Sequence, residues 1–260
     1  MTPVEALAVF AAGVSAGAVN AVVGSGTLIT FPVLLATGMP PVTATVSNTL
    51  GLIPGAVSGA FGYRKELSGQ GPRILKLSVG ALLGGLTGAS LLVALPATAF
   101  ETIVPVMVGL ALVLVAFQPL ISKILRGRRA SAGGPARRDG GPLLFTGLTL
   151  ASVYGGYFAA AQGIIYISLM GMLLDETLQR LNAIKNVLVA VVNTVAAVFF
   201  LFVADFDWTA VALIASGSAL GAQLGAAVGR RVSAAVLRTL IVTIGAVALA
   251  QLLLRQGGAQ

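Results

Sequence analysis

Cysteine and histidine are both absent from the 260 residues. Their absence excludes disulfides and thiol chemistry, and it removes the usual ligands of transition-metal sites. Charge is scarce too: Asp, Glu, Lys and Arg make up 9% of the chain, against 57% hydrophobic residues. A soluble domain carries about a quarter charged residues, because a surface in water needs charge to stay dispersed. The mean hydropathy of +0.98 agrees with a chain that faces lipid. No nucleophile–base pair is visible, and the phosphate-binding pattern Gly-x-x-x-x-Gly-Lys-Ser/Thr is missing. The chain is therefore expected to be no enzyme and to carry no cofactor and no metal.

What is present is apolar and segmented. Runs occupy 4–23, 27–37, 42–62, 74–95, 100–122, 143–161, 164–174, 182–204, 208–228 and 234–253. A helix needs ~20 apolar residues to cross the hydrocarbon. Two of the runs, 27–37 and 164–174, are about half that length. Each follows a longer apolar limb after a polar or small-residue break, Gly24-Ser25-Gly26 in one case and Ala161-Gln162-Gly163 in the other. Paired, interrupted segments of this kind point to a transporter's binding site. The N-terminus has no basic residue before its apolar run, so the first segment is read as retained rather than as a secretory signal. No Asp or Glu falls mid-span, which leaves a carboxylate proton relay without a carrier.

The net charge of +8 reads as loop chemistry, since no soluble basic domain exists to bind nucleic acid. The hydrophilic stretch 123–142 holds six Lys and Arg residues with Gly, Ser and Pro between them, the pattern of a flexible linker. If each broken segment is a hairpin that returns to its own side, the loops 63–76, 123–142, 175–185 and 229–238 share one face. Fifteen of the 16 Lys and Arg residues then lie there, with Arg255 opposite. That face is cytoplasmic by the positive-inside rule. Trp208 falls at a helix start, where aromatic side chains anchor at the interface.

The two halves look related. Gly80, Gly84 and Gly88 are followed 137 residues later by Gly217, Gly221 and Gly225. Gly26 precedes Gly163 by the same interval, and Asn48 precedes Asn186 by 138. Starting from opposite sides, two such halves form an inverted repeat. The expected fold is an all-α polytopic membrane protein. Its residues 1–122 and 143–260 are the two repeats, each a broken-helix hairpin plus three transmembrane helices, and 123–142 is a basic cytoplasmic linker.

The hairpin tips should meet near the midplane, with the N-termini of the short limbs turned to a common site. Helix N-termini present unpaired N–H groups and favour anions. Ser25, Gly26 and Thr27 are candidate binding residues at one tip, and Gln162 and Gly163 at the other. Polar residues on neighbouring spans add Asn20, Ser47, Asn48, Lys185 and Asn186, because a polar group within a span faces the protein interior. Lys185 can attract an anion, or it can snorkel to the interface as lysines do. The glycines of the four-residue stripes are read as packing positions.

The run Gly17-Ala18-Val19-Asn20-Ala21-Val22-Val23-Gly24-Ser25-Gly26, with Phe31-Pro32 and 44–48, resembles the signature of the sulfite exporter TauE/SafE family, also called the toluene-sulfonate uptake permease family. In the second half Tyr154-Gly155-Gly156-Tyr157, Gln162-Gly163, 182–186 and 217–226 resemble it as well. Ala159-Ala160-Ala161 departs from the pattern, since glycines are common there in the family. The resemblance implies a permease for sulfite, an organosulfonate or a related small anion in the bacterial inner membrane, working by alternating access. Its partners would be that anion and the lipid bilayer, and the reading is compatible with a homo-oligomer. Carriage of another small anion such as a carboxylate is the runner-up. A membrane scaffold without transport is the alternative of another class, and it has no need of broken helices.

Overall fold

The computed structural model describes residues 1–131, 140–228, 239, 241–247 and 249–250. Ten helices lie among them: α1 (Pro3–Val22), α2 (Thr27–Ala36), α3 (Pro41–Gly51), α4 (Ile53–Gly62), α5 (Gly71–Ala94), α6 (Ala97–Ser131), α7 (Gly141–Tyr157), α8 (Gln162–Leu173), α9 (Leu178–Phe200) and α10 (Trp208–Val228). No strand occurs among the described residues. Five helices are long and apolar enough to cross a membrane, in α1, α5, α6, α9 and α10, while α2 and α8 are shorter apolar helices. The chain is an all-α, multi-pass membrane protein.

Large apolar side chains face outward as well as filling the core, and several polar ones are buried. Leu75, Leu83, Leu91, Leu110, Leu150 and Phe202 point outward, whereas Asn20, Thr27, Asn48, Gln162, Lys185 and Asn186 are buried. In lipid, apolar side chains lose nothing by facing out, and polar ones must find partners inside. Trp208 opens α10, 62% exposed and stacked on Phe206, as an interfacial anchor requires.

Both halves are broken as expected, but the second break starts three residues before the expected Ala161-Gln162-Gly163, and Gln162 and Gly163 open α8. α1 stops after Val22 and α2 begins at Thr27; α7 stops after Tyr157 and α8 begins at Gln162. Each long limb is gripped by a glycine stripe. A Cβ added at Gly217, Gly221 or Gly225 of α10 would overlap the α1 backbone at Phe10, Val14 and Ala18. One added at Gly84 or Gly88 of α5 would overlap the α7 backbone at Thr149 and Val153. Helix axes this close are open only to glycine.

The structure departs from the sequence reading in four places. The run 42–62 is two helices, α3 and α4, broken at Leu52. Pro54 accounts for the break, because its ring collides with the carbonyl four residues back and it donates no hydrogen bond. The tips do not match as Gly26 with Gly163. Each break has four residues, which sets Gly24 opposite Ala159 in the hairpin sequence, 135 residues apart. The helix α6 continues through Ser131, so 123–131 is helical, and 132–139 lies outside the described residues. Of the run 234–253, residues 241–247 are helical and most of the others lie outside the described residues.

Candidate functional site

The two hairpins meet at their tips. The Gly163 N–H donates to the Gly24 carbonyl at 3.1 Å, and a Cβ on either glycine would come within 2.5 Å of the other's Cα. Gly24 sits at φ +89°, a conformation that side chains disfavour. Its own N–H reaches back to the Val19 carbonyl at 3.2 Å and closes the end of α1. At the second tip Ala159 and Ala161 take φ of 63° and 58°, and the Ala159 N–H reaches back to Tyr154 in the same way.

A small cavity lies beside this crossing, with about 10 Å³ open to the centre of a water molecule, the room of a single water. Asn20, Gly24 and Thr27 line it from the first hairpin, and Ala159, Gln162 and Gly163 from the second. Leu52 at the α3–α4 break and Val189 and Asn193 of α9 complete the wall. Among the described residues the N–H groups of Gly26, Thr27 and Gln162, at the starts of the short limbs, donate to no protein acceptor. Gln162 and Asn193 each hold a buried side-chain oxygen with no partner, and so does Ser25. In this state the tips are closed on a space that an oxyanion does not fit.

Four of the ten sequence candidates line the cavity: Asn20, Thr27, Gln162 and Gly163. Gly26 packs its Cα against the Ala16 carbonyl, and Ser25 is buried beside it in the tip. Asn48 stands one layer back. It donates to Thr27 Oγ1 at 3.3 Å and accepts from Thr30 Oγ1 at 2.5 Å, which aligns the first turn of α2. Ser47 faces elsewhere and accepts the Asp207 N–H at 3.0 Å, at the entry to α10.

Lys185 does not snorkel. It is fully buried, seven residues into α9, and its Nζ donates to the Asn20 carbonyl at 2.7 Å and the Ala21 carbonyl at 3.3 Å. Asn186 Nδ2 joins at Ala21, 3.4 Å away. These are carbonyls of the last turn of α1, where the helix dipole is negative and a cation is favoured. The Lys185 stem passes the Gly24–Gly163 crossing, with Cδ 3.2 Å from a Cβ built on Gly24. Lys185 thus ties α9 to the first tip and leaves the basic-loop count one lower than the sequence assigned.

The sequence candidates for the site left out Gly24, Leu52, Ala159 and Val189, which also line the wall. They also left out Tyr166 and Ser152, which hold Gln162. Gln162 Nε2 lies 2.7 Å from the Tyr166 hydroxyl, which lies 2.6 Å from Ser152 Oγ. A tyrosine four residues after a tip glutamine was the available signal, because i and i+4 share a helix face. On the far side of the tips, Phe31 of α2 meets Phe158 edge to face at 5.2 Å, and Phe100 of α6 packs on Tyr157 at 5.5 Å. Such aromatic pairs contribute ~0.5–1.5 kcal/mol each beyond their burial.

Another polar cluster joins two loops at one end of the molecule. Glu176, between α8 and α9, bonds Arg73 of α5 at 2.7 Å and Arg180 of α9 at 2.9 Å, with Gln70 at 3.0 Å. Arg180 also donates to the Ser68 carbonyl at 3.0 Å. Burial raises the Glu176 pKa, but the bonds from Arg73 and Gln70 and the charges of Arg180 and Arg73 outweigh it. The carboxyl is held below the ordinary glutamate value.

Comparison with known proteins gives concordant results. A "Probable membrane transporter protein" of Haemophilus influenzae is 27% identical over 251 residues, covering 95% of this chain and 94% of its own. The "Probable membrane transporter protein YfcA" of Escherichia coli K12 is 26% identical over 92% of this chain and 86% of its own. The "Probable membrane transporter protein ORF9" of a Sinorhizobium species is 26% identical over 90% of this chain and 87% of its own. No solved structure matches. The family model for Sulfite exporter TauE/SafE matches residues 9–252, and the chain belongs to that family.

Proposed function

We propose that the chain is a secondary transporter that moves a small anion, sulfite or an organosulfonate, across the bacterial inner membrane by alternating access. The two broken hairpins, crossing at Gly24 and Gly163 beside a polar cavity, carry this reading. Unspent N–H groups at the starts of α2 and α8 suit an oxyanion. The closed tips suit a state between the two openings. A scaffold has no use for buried polar atoms left without partners, each of which costs about 1–3 kcal/mol.

The reading includes an inverted repeat of 1–122 and 143–260 joined by a cytoplasmic 123–142. The reciprocal packing supports it, since the stripe of α5 grips the hairpin of the second half and the stripe of α10 grips that of the first. The Glu176 cluster also supports it, since it brings the basic loops after α4 and after α8 together. The chain contains no cysteine, so single thiols report topology cleanly. Ser131→Cys on intact cells should stay unlabelled by a membrane-impermeant reagent, and labelling would place that segment outside.

Flux into proteoliposomes tests the function, with labelled sulfite, methanesulfonate and acetate as the panel. Sulfite and methanesulfonate should enter or exchange faster than acetate. Preference for acetate would move the assignment to carboxylates. No flux of any of the three, with the protein correctly inserted, would remove transport of small anions.

A further inference from the structure

We propose that the groove between α4 and α9 binds one anionic phospholipid, with an acyl chain along the groove and the phosphate at Arg64. The site is separate from the cavity at the tips and stands whether or not the chain transports an anion.

The groove has a volume of about 360 Å³. Val57 and Ala60 of α4 form one wall, and Val187, Ala190, Val191 and Thr194 of α9 form the other. Val57 and Thr194 are exposed at its rim. Small side chains at Ala60 and Ala190 leave the seam unfilled. In a bilayer such a seam fills with hydrocarbon, because an empty one forfeits its dispersion contacts. An acyl chain alone would make no specific site, since chains lie against every outward face of the protein.

Charge at one end makes the difference. Arg64 follows Val57 by seven residues and Ala60 by four, so it continues the α4 wall. Its guanidinium folds back 4.7 Å over the ring of the exposed Phe61 and donates to the Phe61 carbonyl at 3.4 Å. Among the described residues no carboxylate pairs with it. Arg180 precedes Val187 by seven residues and Val191 by eleven, so the α9 wall ends on an arginine too. Arg180 donates to the Glu66 and Ser68 carbonyls at 3.5 and 3.0 Å, which brings the two wall ends together. The segments 63–76 and 175–180 hold five Lys and Arg residues against three Asp and Glu, a net +2.

The lengths agree with a lipid. Arg180 and Thr194 are fourteen residues apart on α9, which is ~21 Å. One leaflet with its headgroups is ~20–22 Å thick. A phosphate held by an arginine, which offers it two parallel N–H donors, therefore sends its acyl chain along the full groove. A second copy of the chain fits less well. A symmetric pair across this seam would set hollow against hollow and bring each Arg64 toward its counterpart. The groove also backs onto the candidate site. Val189 and Asn193 of α9 wall the cavity, and Ala190 and Thr194 beside them wall the groove.

The test is native mass spectrometry of the delipidated full chain in detergent, titrated with dioleoyl phosphatidylglycerol or dioleoyl phosphatidylcholine. The two lipids share their acyl chains and differ in net charge. The first phosphatidylglycerol should bind about tenfold more tightly than the first phosphatidylcholine. Arg64→Gln should reduce that ratio to about threefold or less, because one cation at the headgroup is gone. Ala190→Trp fills the groove and should bring the ratio to about one. Leu83→Trp, on the outward face of α5, should leave it unchanged. If Ala190→Trp yields no folded protein, Arg64→Gln decides alone. Equal binding of the two lipids to the parent overturns the inference, and so does a ratio unchanged in either groove variant. A fall in Leu83→Trp as large as in Ala190→Trp also overturns it. A dimer of the parent in lipid-free detergent that Ala190→Trp dissociates would assign the groove to a second copy instead.

Discussion

The two hairpin tips solve the same problem with different residues. Each must stop a helix, turn within four residues and start another while packed against its counterpart. The first tip uses glycine where φ is positive, at Gly24. The second uses Ala159 and Ala161 at positive φ, at a cost of ~1–2 kcal/mol for each left-handed residue with a Cβ. The first tip is also held from outside its own half, by Lys185 and Asn186 on α9. The second holds its key side chain internally, through Tyr166 and Ser152. The difference teaches that the crossing point, not the turn, fixes where glycine is indispensable. Gly24 and Gly163 touch backbone to backbone, whereas Ala159 and Ala161 are merely strained.

Breaking the crossing should have the largest effect. Gly24→Ala puts a Cβ within 2.5 Å of Gly163 Cα and adds strain at φ +89°. A loss of ~3 kcal/mol or more is expected. It would be read as a fall in detergent unfolding temperature and in monodisperse yield. If Gly24→Ala matched the parent, the tips would not meet as described.

Removing the outside tie should come next. Lys185→Met keeps the volume but takes the Lys185 donor away from the carbonyls of Asn20 and Ala21. Destabilisation of ~2 kcal/mol is expected. Lys185→Arg should recover little, because a guanidinium is wider than the space its stem fills beside the Gly24–Gly163 crossing. An unchanged unfolding temperature in Lys185→Met would show that the tie is idle.

The loops that leave the short limbs differ too. After α8 the chain is pinned by Glu176, while after α2 Thr37 Oγ1 makes a local bond to the Leu34 carbonyl at 2.7 Å. Since the folded pKa of Glu176 is depressed, its contribution is fully present above the unfolded glutamate value of about 4.3. It is lost as pH falls from there through the folded pKa. Glu176→Gln should lower the unfolding temperature at neutral pH by a few degrees and flatten its decline below about pH 4. Parallel curves for parent and variant would contradict the pinned loop.

The smallest effect should be a gain. Ala159→Gly relieves left-handed strain but adds unfolded-state entropy, so a stabilisation of a few tenths to about 1 kcal/mol is expected. A loss would mean that the Ala159 methyl, at the cavity wall, packs better than its φ suggests.

The sequence by itself determined that the chain lives in a membrane and that two of its long apolar limbs are followed by a break and a short helix. Those features depend on run length, scarcity of charge and local breaks, which are properties of neighbours along the chain. The glycine stripes were legible for the same reason, since their period is that of one helix. Pro54 and Gly51 are local marks of the break at Leu52, set in an otherwise continuous apolar run. Tertiary structure alone decided the partners. Lys185 was read as a group for an anion or for the interface, and it holds the end of α1 from 165 residues away. Asn48 and Asn186 looked equivalent in sequence, yet one steadies the short limb of its own half and the other reaches across to Ala21. Which polar atom meets which, and which is left over at the cavity, depends on helices brought together from distant parts of the chain. Local pattern carries no information about that pairing.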